Sequence, residues 1–171
     1  MKIMEQVSIN KDIKLSEHFT LKECCKTKHK TADRNIPSHV AIENLKNICE
    51  GWLEDLRYSY NMLYGEEEMR SKEMSSKEEI PVIISSGYRS PEVNKLAGGS
   101  PTSNHLTGCA VDIRCMGKEQ MIRYAGILLD IADGTKRDFD ELLLEQRGSV
   151  CWLHFAVRPK ENRRRIAFDI K

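Results

Sequence analysis

The sequence predicts an α+β fold: one domain, with one sheet covered by helices. Three observations carry that expectation. The chain is 171 residues long and 40% hydrophobic, which suits one domain with a real core. Apolar residues in its first third recur at intervals of three and four, as on one helix face. Short apolar and β-branched runs collect in the second half, with helical stretches before and between them.

The elements follow in order. Met1 to Lys14 reads as a loose or edge segment. Thr20 and Glu23 have the spacing of a capping box, so a short helix starts at Leu21. Pro37-Ser38 opens a long helix whose stripe is Ala41, Leu45, Ile48, Trp52 and Leu56, ending near Tyr60-Asn61. Gly65 to Glu79, with Glu66-Glu67-Glu68 and Ser75-Ser76, reads as a solvated loop or frayed helix end rather than a domain boundary. Val82-Ile83-Ile84 is a strand, and Ser90-Pro91-Glu92 starts a short helix with proline at its first position. Gly98 to Pro101 breaks that helix, and Cys109 to Arg114 is a buried strand. Lys118 to Asp133 is a helix with Met121, Tyr124, Ala125, Leu128 and Leu129 on its apolar face, stopped at Gly134. Two strands, Phe139 to Glu145 and Val150 to Val157, turn at Gly148-Ser149. Arg163-Arg164-Arg165 reads as a basic surface tail. The domain thus divides into a helical part at about 15–62, a loop at 65–79 and a chemistry-bearing part at 82–157.

The formal net charge is +1, with bases and acids nearly equal, so nothing global favours nucleic acid or an anionic membrane. No stretch approaches the ~20 apolar residues of a membrane span. Nor does Met1 to Asn10 hold an apolar run of signal-peptide length. The six cysteines are scattered, and adjacent Cys24 and Cys25 would make a strained bridge, so reduced thiols are expected. The expectation is a monomer kept in the cytoplasm until it is released or exported.

The chemistry concentrates in Ser103-Asn104-His105-Leu106-Thr107-Gly108-Cys109-Ala110-Val111-Asp112. An ionised carboxylate inside an apolar strand is costly unless a cation or several donors meet it. Zinc would meet Asp112, with His105 as a second ligand from the preceding loop. His154, within Val150 to Val157, is the imidazole of the most apolar strand and a third candidate. Two histidines and one carboxylate leave a coordination position open, as catalytic zinc requires. The same donors accept several other divalent ions. A strand histidine is more often a hydrogen-bonded core residue than a ligand, and Asp112 can instead cap a turn or pair with Arg114; spacing alone does not decide. Cys24-Cys25 with His29 lacks a second ligand pair at finger spacing.

Three blocks extend the pattern. They are Ser86-Gly87-Tyr88-Arg89-Ser90-Pro91 with Asn94 and Gly98-Gly99-Ser100, then Ser103-x-His105-Leu106-x-Gly108-x-Ala110-x-Asp112-Ile113, then Trp152-x-His154. Together with Leu15 to Glu23 and the helix from Val40 to Leu56, they resemble the zinc D-Ala-D-Ala carboxypeptidase and peptidoglycan L,D-endopeptidase family, in its phage and prophage branch. The resemblance runs from about Leu15 to Val157 and implies the fold shared with the Hedgehog signalling domain, a small antiparallel sheet flanked by helices. It implies zinc on His105, Asp112 and His154. It implies that Arg89 holds substrate carbonyl or carboxylate groups and stabilises an oxyanion, a task suited to its planar guanidinium.

Ser103 would shape the loop that aims His105 and touch substrate, and Trp152 would wall the site. Some branches place the general base three residues before the last histidine, which here is Cys151. The branch resembled ends the preceding strand with a glutamate, which implies Glu145. It usually has glutamine where this chain has Glu141, and its segment between that glutamate and the last histidine is shorter. A simple hairpin register would put Glu141 opposite His154, so Glu141 stays the alternative. The function implied is hydrolysis of a peptidoglycan stem-peptide amide, as in a phage endolysin. The rival is a non-catalytic cell-wall-binding or phage assembly module that keeps the zinc fold.

Overall fold

Thr20 starts the first helix as its spacing demands. Its Oγ1 accepts from the Glu23 backbone, and the Glu23 carboxylate answers on the Thr20 amide, opening α1 (Leu21–Cys24). The computed structural model describes residues 13–71 and 79–170. The expected loose opening therefore lies, up to residue 12, outside the described residues, as does 72–78 of the expected loop. Lys14 bridges antiparallel to Thr20.

Ser38 caps α2 (His39–Ile48) through its hydroxyl. A π-helical turn, Cys49–Leu53, joins it to α3 (Glu54–Ser71). The whole stripe from Ala41 to Leu56 is buried, as its periodicity predicts. Trp52 meets Phe139 and Phe155 edge-on, with ring centroids 6.4 and 5.1 Å apart. The helix does not stop near Tyr60-Asn61 but continues to Ser71. Packing overrides the polar composition: Tyr60 lies against Tyr64 and Tyr124, and the Arg123 guanidinium sits 4.1 Å from the Tyr64 ring centroid. The Asn61 side chain bonds both backbone groups of Ile80, tying the far side of the undescribed segment to the helix.

The strands are β1 (Ile83–Ser86), β2 (Ala110–Cys115), β3 (Glu141–Arg147), β4 (Val150–Ala156) and β5 (Arg165–Ile170). Between them lie α4 (Pro91–Leu96), a 3-10 turn (Asn104–Thr107) and α5 (Lys118–Thr135). The sheet order is β1-β2-β4-β3-β5. The first three pairings are antiparallel, but β5 joins β3 in parallel, so the sheet is mixed. Arg163 to Arg165 are exposed, as expected, but they lead into a strand and are not a tail. Ile166, Phe168 and Ile170 alternate with Arg165, Ala167 and Asp169, and that period of two in large apolar side chains makes a strand.

Alternation sorts the whole sheet. Val111, Ile113, Leu142, Leu144, Leu153 and Phe155 share one face, all buried in the core formed with α2, α3 and α5. The opposite face carries Asp112, Glu141, Leu143, Glu145, Trp152, His154 and Arg165. Every strand residue singled out for chemistry points to that second face. Cys151, on the other face, is buried opposite Cys115.

Candidate metal centre

Asp112 and His154 are direct cross-strand partners on β2 and β4. His105 arrives from the 3-10 turn between α4 and β2. Ser103 caps that turn, its Oγ accepting from the His105 amide at 3.3 Å. Gly108 ends it in the left-handed conformation (φ +70), where a Cβ would come within 2.3 Å of the Ala41 carbonyl oxygen of α2. Glycine there lets the chain reverse against α2 and enter β2 with Asp112 facing His105.

His105, Asp112 and His154 are all buried, and one ligand atom from each lies within 4.8 Å of the others. Among the described residues this is the one group of three histidine, cysteine or acid side chains close enough to share an ion. Asp112 Oδ1 lies 2.9 Å from His154 Nδ1 and 3.2 Å from His105 Nε2. Asp112 Oδ2 accepts from Arg89 at 2.5 Å. Burial opposes ionisation of Asp112, yet the two imidazoles hold its carboxyl well below the usual carboxylate range. Burial likewise opposes charge on His154, but Asp112 and then Glu141 outweigh it and raise its pKa to about 9. Two buried bases converging on one buried carboxylate form a site that a divalent cation would complete. His105 Nδ1 donates to the Gly87 carbonyl at 2.5 Å, which turns Nε2 toward Asp112 as a ligand nitrogen must be turned. The donor set, two imidazoles and a carboxylate, fits zinc with a position left open.

A cleft of about 690 Å³ opens over the trio, walled by Arg89, Glu141, Glu145, Arg147, Trp152 and Arg163. Arg89 also donates through Nε to Ser86 at 2.8 Å, and its Nη1 has no partner among the described residues. The β3–β4 register places Leu143, not a glutamate, opposite His154. The tight turn pairs Arg147 with Val150, and the two glutamates fall diagonally on either side of the histidine. Their surroundings separate them. Glu145 accepts a hydrogen bond from Trp152 Nε1 at 2.8 Å, and burial raises its pKa above the usual glutamate value. Glu141 lies 3.4 Å from His154 Nε2 and is held by Asn104, Arg163 and Arg165. His154 first, then the arginines, hold it down to about 2.

A family model described as Peptidase M15 matches residues 67–129. That span, a little over a third of the chain, supports the M15 zinc peptidase family. It contains Arg89, His105 and Asp112. It ends before β3 and β4, so His154, Glu141 and Glu145 join the site through the fold and not through the match. M15 peptidases are zinc-dependent, which agrees with the donor set. No curated protein matches the chain.

The fold brings together the three expected ligands and places Arg89, Ser103, Trp152, Glu141 and Glu145 around one cleft. The sequence reading missed Asn104, Asp140, Arg163 and Arg165. Asp140 is fully buried, and its two oxygens take Arg163 through Nε (2.9 Å) and Nη2 (2.7 Å). The signal was present in the alternation behind Arg165, which marks a strand able to carry arginines to the site. The Cys24-Cys25-His29 grouping does not gather three ligand atoms: among the described residues only His105, Asp112 and His154 do so.

Proposed function

We propose that this chain is a zinc peptidase that hydrolyses an amide bond in peptidoglycan stem peptides, by D-Ala-D-Ala carboxypeptidase or L,D-endopeptidase chemistry. One observation carries the reading. The buried His105-Asp112-His154 trio lies under the same cleft as a half-buried glutamate and an arginine. Zinc held by the trio would supply Lewis acidity toward a substrate carbonyl. Glu145 takes a proton from the attacking water and passes it to the leaving amine, a task its raised pKa suits. Trp152 holds that carboxylate in place through its indole N–H. Arg89 offers its Nη1 donors to the charge that develops on the carbonyl oxygen. Glu141, tied by three donor side chains, is a poor proton carrier.

The cleft mixes four arginines, Arg89, Arg147, Arg163 and Arg165, with acids, which suits a short peptide bearing carboxylates. Peptidoglycan as substrate, and a lytic role of the phage type after release from the cytoplasm, belong to this proposal. The cysteine at position 151 does not count against catalysis, because it is buried on the core face while Glu145 occupies the site face.

The test is a digest of purified muropeptides with zinc-loaded protein beside a chelated control, read by mass spectrometry. Loss of a terminal alanine identifies a carboxypeptidase, and a cut within the stem an endopeptidase. No zinc-dependent product from several wall chemistries would transfer the weight to a wall-binding or assembly module.

A further inference from the structure

His154 is flanked by acids on both ring nitrogens: Asp112 Oδ1 stands 2.9 Å from Nδ1, and Glu141 Oε2 stands 3.4 Å from Nε2. Nδ1 therefore faces the ligand trio and Nε2 faces away from it. Glu141 cannot swing freely. Its Oε2 accepts from Asn104 Nδ2 at 3.1 Å, and its Oε1 meets Arg165 Nη1 at 3.0 Å and Arg163 Nη2 at 3.1 Å. Each of these holders is itself placed by the fold. Arg165 is the direct partner of Glu141 in the parallel β3–β5 pairing, so both project to the site face. Arg163 is clamped in two-pronged fashion by buried Asp140, the residue before Glu141. Asn104 bridges the two acids, donating to Asp140 Oδ2 at 2.7 Å as well, and immediately precedes His105 in the 3-10 turn.

We propose that Glu141 is a positioning residue for His154: its carboxylate accepts the Nε2 proton, leaving Nδ1 bare toward Asp112 and His105, and the β5 segment holds that carboxylate in place. The inference rests on His154 being a metal ligand. A carboxylate behind a ligating imidazole fixes its ring orientation and tautomer and makes it a better donor. The parallel edge strand thereby gains a function beyond closing the sheet, because it carries Arg165 to the acid behind His154. The same network reaches the turn bearing His105 through Asn104, so one cluster of side chains steadies two of the three ligands.

The experiment uses the full chain as wild type, Glu141→Ala, Glu141→Gln and Arg165→Ala. Zinc affinity is measured by chelator competition, and the His154 ring nitrogens are followed by 15N NMR in the zinc-loaded protein. Glu141→Ala is expected to weaken zinc about 10- to 100-fold. Glu141→Gln, whose amide oxygen accepts the same proton, should recover most of that loss. Arg165→Ala should weaken zinc by less than Glu141→Ala. In the wild type the metal should sit on Nδ1, with Nε2 protonated. Wild-type affinity in Glu141→Ala, no recovery with glutamine in a folded protein, or metal on Nε2 overturns the proposal. Should Glu141→Ala fail to fold, the wild-type nitrogen assignment and the exposed-site variant Arg165→Ala decide it. A wild type that takes no zinc overturns the metal reading itself, a different result from a wild type that binds zinc indifferent to Glu141.

Discussion

Zinc binding to the proposed trio would displace a proton from His154, and the structure sets how strongly that proton competes. Asp112 and Glu141 raise the His154 pKa from its ordinary 6.5 to about 9 in the metal-free protein. At neutral pH about one ring in a hundred is then neutral, so apparent zinc affinity is reduced about 100-fold, or roughly 3 kcal/mol. Affinity should climb about tenfold per pH unit from about pH 7 and level off near pH 9, where an unperturbed histidine would already have levelled off near 6.5. The assay is chelator competition across that range, paired with calorimetry in buffers of different ionisation enthalpy, which should show about one proton released per zinc at neutral pH. A plateau above neutral pH with no proton released would refute the reasoning. The same shift has a stability consequence of opposite sense. The folded pKa lies above the unfolded one, so the contribution to metal-free stability is whole below about 6.5 and is lost as pH rises through about 9. It is roughly 3 kcal/mol at most, visible as a falling Tm of the metal-free protein between those limits.

Three more predictions concern separate parts of the molecule. Glu145→Gln should bind zinc as the wild type does and lose at least about a hundredfold in peptide hydrolysis, and an active variant would remove Glu145 from the chemistry; the acid limb of wild-type activity should lie above the ordinary glutamate pKa of 4.5. Gly108→Ala forces a Cβ onto the Ala41 carbonyl at a positive φ and should cost about 2 kcal/mol or more in urea unfolding. Asp140→Asn weakens the contacts to Arg163 and Asn104, which together lower the Asp140 pKa against its burial to about 2, a shift of roughly 2 kcal/mol. That contribution is present above pH 3.8 and lost as pH falls toward about 2, so the variant and wild type should converge in stability under acid.

The local devices of this fold are legible residue by residue. The Thr20-Glu23 capping box, the Ser38 cap, proline at the start of α4 and the Ala41-to-Leu56 stripe all act within a few residues of chain, and all form. His105, Asp112 and Arg89 are readable for a similar reason: they sit in short motifs whose glycine and serine neighbours shape one turn. Helix length was not readable from composition, since the glutamate-rich end of α3 is kept helical by Tyr124 and Arg123 of α5, far along the chain.

The register of the β3–β4 hairpin was equally hidden, because side-chain alternation puts Glu141 and Glu145 on one face in any even register. Only pairing across the turn sets Leu143 opposite His154 and a glutamate on each flank. The distinction between the two acids depends on β5, a strand that pairs across the sequence with β3 and brings the cation Arg165 to Glu141 but an acid, Asp169, to Glu145. Sequence alone determined which residues could bind a metal and which local turns present them. The tertiary structure decided which glutamate is tied down and which stands ready, because ion pairs between distant strands depend on register and not on spacing along the chain.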